Sequence, residues 1–138
     1  MNKEFIPYEQ ALELKELGFN EKCMAMYHLE KIDGIIESVL ILKEANTNIS
    51  DVFTLAPLYQ QAFRWFREKY DLVSWVSLGS QNSREYIFGI LTDSTFIGSW
   101  NTNFSTYEEA ELACLKKLIE IVKNKPQKQS RIQDISIG

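Results

Sequence analysis

The chain has 138 residues, of which 45% are hydrophobic and 25% are charged, and its formal net charge is −4 at pH 7. This length is typical of one domain, and the apolar content is sufficient for a core, so the composition disfavours intrinsic disorder except at the ends. The acidic excess disfavours non-specific binding to nucleic acid, because that binding depends on neutralising phosphates.

The first predicted element is a helix over residues 8–17. Pro7 suits the first turn of a helix, because its missing N–H costs no hydrogen bond there. Gly18 stands where a glycine commonly ends a helix. We therefore expect the helix to stop at this point and Phe19 to fold back onto it.

Two strands are predicted next, over residues 22–29 and 35–42. Asp33-Gly34 lies between them, and this dipeptide is a strong signal for the tight turn of an antiparallel hairpin. Residues 44–54 are mainly polar. They predict a loop that leads into the second helix.

The second helix is predicted over residues 56–70, with Pro57 at its start. Large aromatic side chains recur along it at helical spacing, which places them on one stripe. These residues are Tyr59, Phe63, Phe66 and Tyr70. We expect the stripe to pack in the core and the polar residues of the other face to be solvated.

Three further strands and a third helix are predicted in the second half. The strands cover residues 72–78, 85–91 and 95–100. The helix covers residues 105–122 and is predicted to begin with a capping box, in which the N-cap side chain and a glutamate three residues later bond each other's backbone. We expect Ser105 to be the N-cap with Glu108 as its partner, and Thr106 with Glu109 offers the same pattern one residue later.

The predicted order is α-β-β-α-β-β-β-α, which favours an α+β fold. Short turns within each strand group require antiparallel neighbours. We therefore expect a two-layer sandwich, in which one antiparallel sheet of about five strands carries the helices on one face. Residues 1–124 form the predicted single domain. Residues 125–138 form a C-terminal tail that is either flexible or a short edge segment packed through its isoleucines.

Both early helices contain an alanine followed eight positions later by an aromatic residue. The pairs are Ala11 with Phe19, and Ala62 with Tyr70. Two origins stay open, a duplicated structural unit or a chance echo between two amphipathic helices that each lead into a strand.

Few residues are suited to chemistry. His28 is the only histidine, whereas nucleophile–base pairs and most zinc sites need at least one histidine and often several. Its position near a strand end is typical of a surface histidine. No common zinc, phosphate-binding or nucleophile-elbow motif occurs. The sequence therefore predicts a protein without catalytic residues, metal or cofactor.

Glu111 is the carboxylate that the third helix places in its apolar sector. A buried carboxylate needs a partner, and Arg64 or Arg67 on the second helix could supply it. Two readings stay open. In one, Glu111 lies at the helix edge with its head in water. In the other, the protein is an enzyme that acts on a small ligand through Glu111 with Arg64 or Arg67.

The leading hypothesis is a non-enzymatic binding protein that contacts another macromolecule. Arginine and tryptophan are the residue types enriched at binding hot spots. The predicted partner-binding residues are Gln60, Arg64 and Arg67 on the exposed side of the second helix, together with Trp100. We expect an unidentified protein as the partner. A homodimer is a further expectation, since the edge strand over residues 95–100 can pair across a twofold axis.

Binding of single-stranded nucleic acid is the alternative. Trp75, Tyr86 and Trp100 could stack on bases if they shared the open face of the sheet, with basic residues of the second half beside them. However, residues 1–63 carry ten acidic residues against five lysines. No glycine-aromatic motif typical of RNA-binding sheets occurs either. Nucleic acid is therefore the less favoured partner.

Cellular location is predicted from the absence of a secretion signal and of a membrane-spanning segment. The N-terminal residues lack the continuous apolar stretch of a secretion signal, and no apolar run approaches the roughly 20 residues of a membrane span. Cys23 and Cys114 lie in apolar segments and predict buried free thiols rather than a disulfide. We therefore expect a soluble cytoplasmic protein without membrane contact.

Three blocks of the sequence carry a resemblance. They are EFIPYEQALELKELGF (residues 4–19), APLYQQAFRWFREKY (56–70) and STYEEAELACLKKLIEIV (105–122). These blocks resemble a group of small uncharacterised proteins of gut bacteria and of their phages and mobile elements. The resemblance covers about a third of the chain and brings no catalytic residue. It implies a compact accessory protein from a phage or mobile-element setting.

Overall fold

The computed structural model describes residues 2–45, 51–79, 84–99 and 102–124. These residues form three α-helices and six strands after a short 3-10 turn, which confirms the α+β class. In chain order the elements are α1 (Tyr8–Glu16), β1 (Met26–Ile32), β2 (Ile35–Ile41), β3 (Phe53–Leu55), α2 (Tyr59–Tyr70), β4 (Val73–Leu78), β5 (Tyr86–Leu91), β6 (Phe96–Gly98) and α3 (Tyr107–Lys123).

The strands form two antiparallel sheets of three strands each rather than one sheet of about five. The first sheet has the order β2-β1-β3 and the second the order β4-β5-β6. The expectation missed β3, which lies at the end of the polar segment over residues 44–54. Three residues are too few to show the alternation of a strand, and β3 is recognisable only from its pairing with β1.

The ends of α1 and α3 follow from local signals. Gly18 has a φ of 98°, and the Phe19 amide donates to the Leu14 carbonyl at 2.9 Å while the Gly18 amide donates to the Lys15 carbonyl. This is the Schellman arrangement, and it folds the buried Phe19 back as predicted. At α3 the N-cap is Thr106 rather than the expected Ser105, since the Thr106 hydroxyl accepts from the Glu109 amide at 3.1 Å.

Helix α2 begins three residues later than the predicted start at residue 56. Ala56 is still extended, since its amide donates to the Ala25 carbonyl at 3.1 Å, and the N-cap is Leu58. The aromatic stripe packs inward as expected. Tyr59 and Phe66 are buried, and the remaining two members of the stripe, Phe63 and Tyr70, are half-buried and pack against the same core.

One main core joins the helices to the second sheet. Helix α3 contacts β4 and β5 of the second sheet and also both other helices. Its fully buried side chains include Cys114, Leu115 and Leu118, which belong to the same cluster as Leu14 of α1 and Phe66 of α2. Helix α3 is therefore the element around which the other layers assemble.

The β1–β2 hairpin projects from this core. Its turn is Asp33-Gly34, as predicted, and both residues have positive φ (53° and 81°), which is the backbone of a type I′ turn. Residues 31–38 are all exposed. Nearer the body, Tyr27 and Leu40 pack against a small separate cluster of buried residues.

The two halves of the chain are not copies of one unit. Both contain a helix followed by three strands. However, the first strand of the group is central in the first sheet, whereas the second strand of the group is central in the second sheet. The similar spacing of Ala11 with Phe19 and of Ala62 with Tyr70 therefore does not extend to the connectivity of the sheets.

Candidate functional site

The second sheet has an exposed apolar surface on the side away from α3. Val73, Leu91 and Phe96 lie side by side in register across its three strands. Trp75 lies one row further along β4 and belongs to the same side of the sheet. Val73 and Trp75 are each 37% exposed, and Leu91 and Phe96 are 45% and 44% exposed. We call these four residues the outer face.

Two glycines give the outer face its shape. Trp75 lies opposite Gly89 of β5, which in turn lies opposite Gly98 of β6. A Cβ atom on Gly89 would be 2.6 Å from Cζ2 of the Trp75 ring, so the indole lies directly on the glycine backbone. The ring of Phe96 is 5.3 Å from that of Trp75. The indole is thus held between Gly89 and Phe96 while part of it stays exposed to solvent.

The three aromatic residues proposed to stack on nucleobases do not share this surface. Tyr86 alternates onto the opposite side of β5, where its ring packs edge-on against Tyr107 of α3 with centroids 5.7 Å apart. Trp75 is on the outer face, and Tyr86 is not. Trp100 lies outside the described residues. The expected common stacking platform of Trp75 and Tyr86 is therefore wrong, because strand alternation separates them.

The predicted partner-binding residues of α2 are exposed. Gln60, Arg64 and Arg67 all lie on the solvated side of the helix. Arg64 is 3.9 Å from the carboxylate of Glu21, which also accepts a hydrogen bond from Gln61 at 3.3 Å. These contacts orient Arg64 towards the segment after α1. Partner binding by this side of α2 stays a prediction.

Glu111 is buried, with 8% of its surface exposed. Neither Arg64 nor Arg67 pairs with it, and among the described residues no hydrogen bond or ion pair reaches its carboxylate. Burial, with a smaller contribution from Glu108, raises its pKa from 4.5 to about 7. The expected pairing of Glu111 with an α2 arginine is wrong, since α2 turns both arginines to solvent.

A groove of about 480 Å³ lies near the start of α3. Its walls include Phe5, Tyr27, Tyr59 and Glu108. Burial and the nearby Glu111 raise the pKa of Tyr59 to about 12, so its phenol is a neutral donor. In the part of the chain that the structure describes, this groove is lined by neither Glu111 nor an arginine. The geometry needed for an enzyme that combines Glu111 with Arg64 or Arg67 is not formed there.

The remaining reactive side chains have structural surroundings. His28 stacks on Phe53 with ring centroids 4.7 Å apart, and its Nδ1 atom is 3.2 Å from the Glu30 carboxylate. Cys23 and Cys114 are free and buried, and burial raises the pKa of each thiol to about 12. Within residues 2–45, 51–79, 84–99 and 102–124, no three potential metal ligands gather at one point.

The sequence carries a partial signal for the outer face. The alternation of β4 already separates Val73 and Trp75 from the inward residues, and a glycine inside a strand marks a close approach of another group. Gly89 is such a glycine. The contributions of Leu91 and Phe96 depend on the register between strands, which no local pattern specifies.

Comparison with known proteins finds no matching family model, no matching curated protein and no matching solved structure. No helix in the described ranges combines the length and the apolar character needed to cross a membrane. The geometry of the chain itself is therefore the basis for a functional proposal.

Proposed function

We propose that this chain is a non-enzymatic binding protein whose outer face docks onto an apolar segment of another protein. The observation that carries the proposal is the exposed row of Val73, Leu91 and Phe96 beside the Trp75 indole, which rests on Gly89. Contiguous exposed apolar surface on a folded protein marks an interaction site more often than single exposed apolar residues do.

The fixed position of the Trp75 ring supports this role. An indole that lies on Gly89 and beside Phe96 has little freedom to lose when a partner covers it. Ordering of mobile side chains is one of the main costs of association, so a ring that is already fixed contributes more of its buried area to affinity. Tryptophan in such a position is a typical interface hot spot.

The charge of the second sheet favours a protein over a nucleic acid. The strands read VSWVSL, YIFGIL and FIG, and none contains a charged residue. Affinity for single strands combines base stacking with cationic side chains that follow the phosphates. The outer face provides rings without such cations within its strands. An apolar protein segment fits its chemistry better.

The biological setting is the less specific part of the proposal. A role as a phage- or mobile-element accessory factor in the cytoplasm rests on the resemblance of the three sequence blocks. The exposed Gln60, Arg64 and Arg67 on α2 would provide a second, polar contact surface in that role. The outer face and the α2 surface are separable by experiment.

Site-specific photo-crosslinking in cells tests the proposal. We would replace Phe96 by benzoylphenylalanine, with matched replacements at Tyr107, an aromatic residue of similar exposure on α3, and at Gln60 on α2. We expect a discrete protein adduct from position 96 and none from position 107. Addition of Trp75→Ser to the position-96 protein should remove that adduct.

Three results would contradict the proposal. A position-96 adduct whose size falls to that of the free chain after nuclease treatment would identify nucleic acid as the partner. Equal adducts from positions 96 and 107 would show that the outer face is not selected. An adduct at position 60 alone would move the binding site to α2.

A further inference from the structure

Strand β2 has the longest open edge of the described strands. It covers Ile35–Ile41 and, within the described residues, pairs with β1 on one side only. Ile35 and Ile36 are 62% and 69% exposed, and Glu37 is the only charged residue of the strand. A long edge strand that is apolar and carries little charge can pair with a further strand.

The hydrogen-bonding pattern of the β1–β2 hairpin determines which backbone amides and carbonyls of β2 point to its open edge. Ile32 and Ile35 flank the two-residue turn and therefore form a hydrogen-bonded pair, after which bonded and non-bonded pairs alternate. The Leu29 amide is consistent with this alternation. It donates to the Val52 carbonyl on the far side of β1 at 3.0 Å and not to Ser38, the residue opposite it on β2. The amides and carbonyls of Ile36, Ser38 and Leu40 consequently point to the open edge.

We propose that two copies of this chain pair through β2, antiparallel, across a twofold axis at Ser38. Ser38 is the midpoint of Ile35–Ile41, so this register uses the whole strand. The outward groups of Ser38 then bond those of Ser38 in the second copy. Those of Ile36 bond Leu40 of the other copy in both directions. Every outward amide and carbonyl from Ile36 to Leu40 gains a partner.

The side chains suit a second copy in this register. Ile35 lies opposite Ile41 of the other copy, and Ile36 opposite Leu40, so apolar residues meet on both sides of the joined sheet. Glu37 lies opposite Val39. A strand that is complementary to its own sequence in an antiparallel register is the property that a twofold interface requires.

Neighbouring registers are disfavoured by the same sequence. A twofold axis at Glu37 would place two Glu37 carboxylates directly opposite each other, and like charges in that position are destabilising. An axis at Val39 would leave Ile35 beyond the paired region, opposite Lys43 after the end of β2. The Ser38 register alone avoids both faults. This edge also replaces β6 as the site of self-association, since β6 has only three residues.

Disulfide trapping tests the register. In the proposed dimer the two Ser38 Cα atoms are about 5.5 Å apart, which a disulfide can bridge. Ile35→Cys is the matched control, because it is exposed on the same strand but lies about 20 Å from its copy. The native thiols are buried and do not compete. We expect Ser38→Cys to form a covalent dimer at least ~10-fold faster than Ile35→Cys under mild oxidation.

Sedimentation of the wild-type chain tests the association itself. We expect a dimer at high micromolar concentration and a monomer on dilution. Ser38→Pro should be a monomer throughout, because proline removes an amide that points outward and is tolerated on a strand edge. Its circular dichroism spectrum checks that the fold is kept.

A wild-type monomer at high micromolar concentration would overturn the proposal, even if Ser38→Pro fails to fold. Equal rates of trapping at positions 35 and 38 would overturn it as well. The outer face is on the other sheet, so either result leaves the crosslinking test of Phe96 unaffected.

Discussion

Glu111 is a carboxyl group that α3 buries without a hydrogen bond among the described residues. Its pKa is raised from 4.5 to about 7, mainly by burial. The folded chain therefore binds this proton more tightly than the unfolded chain does. Stability contributed by the protonated form is present at low pH and is lost as the pH rises from about 4.5 towards about 7.

Replacement of Glu111 by glutamine tests this behaviour. Glutamine is neutral at every pH, so it avoids the cost of burying a charge. We expect Glu111→Gln to raise the free energy of unfolding by about 1–2 kcal/mol at about pH 8 and to change it little at about pH 5. Urea unfolding at the two pH values measures the difference. Glu68→Gln, an exposed change on α2, should show no such dependence.

A second residue-scale prediction concerns the start of α3. The Thr106 hydroxyl accepts from the Glu109 amide, and the Glu109 carboxylate accepts from the Thr106 amide at 3.2 Å. Thr106→Ala removes the first of these bonds and should cost about 1 kcal/mol of stability. Ser105→Ala is the matched control and should cost less than about 0.5 kcal/mol. Similar losses for both would contradict Thr106 as the cap.

At the scale of elements, the outer face depends on a contact between two strands. The Trp75 ring occupies the space where a Cβ atom of residue 89 would lie. We expect Gly89→Ala to cost about 1–3 kcal/mol, because the added methyl group displaces the indole. In a Trp75→Ala background the same change should cost much less. Urea unfolding of the four variants gives the coupling energy, and additive effects would contradict the contact.

The sequence predicts the helices of this fold better than its sheets. Gly18 and Asp33-Gly34 each act within a few residues, so a local pattern is sufficient to identify them. A local pattern also locates the start of α3, but it does not decide between Ser105 and Thr106 as the cap. The division into two sheets depends on β3 pairing with β1 across the whole hairpin. Tertiary packing determines this pairing, and the residue pattern of β3 alone does not specify it.

The same distinction applies to the candidate sites. The exposure of Gln60, Arg64 and Arg67 was predictable, because it follows from the helical period of α2. The outer face was not, because Leu91 and Phe96 join Val73 only through strand register. The position of Glu111 in the apolar sector of α3 was predictable, but its burial was not, since the same position also fits a side chain at the helix edge with its head in water. The lack of an arginine beside it depends on how α2 and α3 pack.

At the scale of the whole molecule, one core spans both halves of the chain. Cys23, after α1, and Cys114, on α3, belong to the same cluster, with 2% and 0% of their surfaces exposed. A thiol reagent reaches either residue only when this core opens. We therefore expect the two thiols to be protected by the same free energy, equal to that of global unfolding.

Labelling of native protein, followed by digestion and mass spectrometry, measures each thiol separately. Equal rates that rise together in low concentrations of urea are the expected result. Faster labelling of Cys23 by about tenfold or more would show that the first half opens on its own, which would contradict a single cooperative domain.

The central place of α3 has a consequence for synthesis on the ribosome. Leu14 and Phe66 leave the exit tunnel early, yet the side chains that cover them include Leu115 and Leu118, which are translated much later. Native burial of the earlier helices must wait for the last helix to emerge. During that delay we expect the nascent chain to expose apolar surface, which makes it prone to aggregation until α3 has emerged.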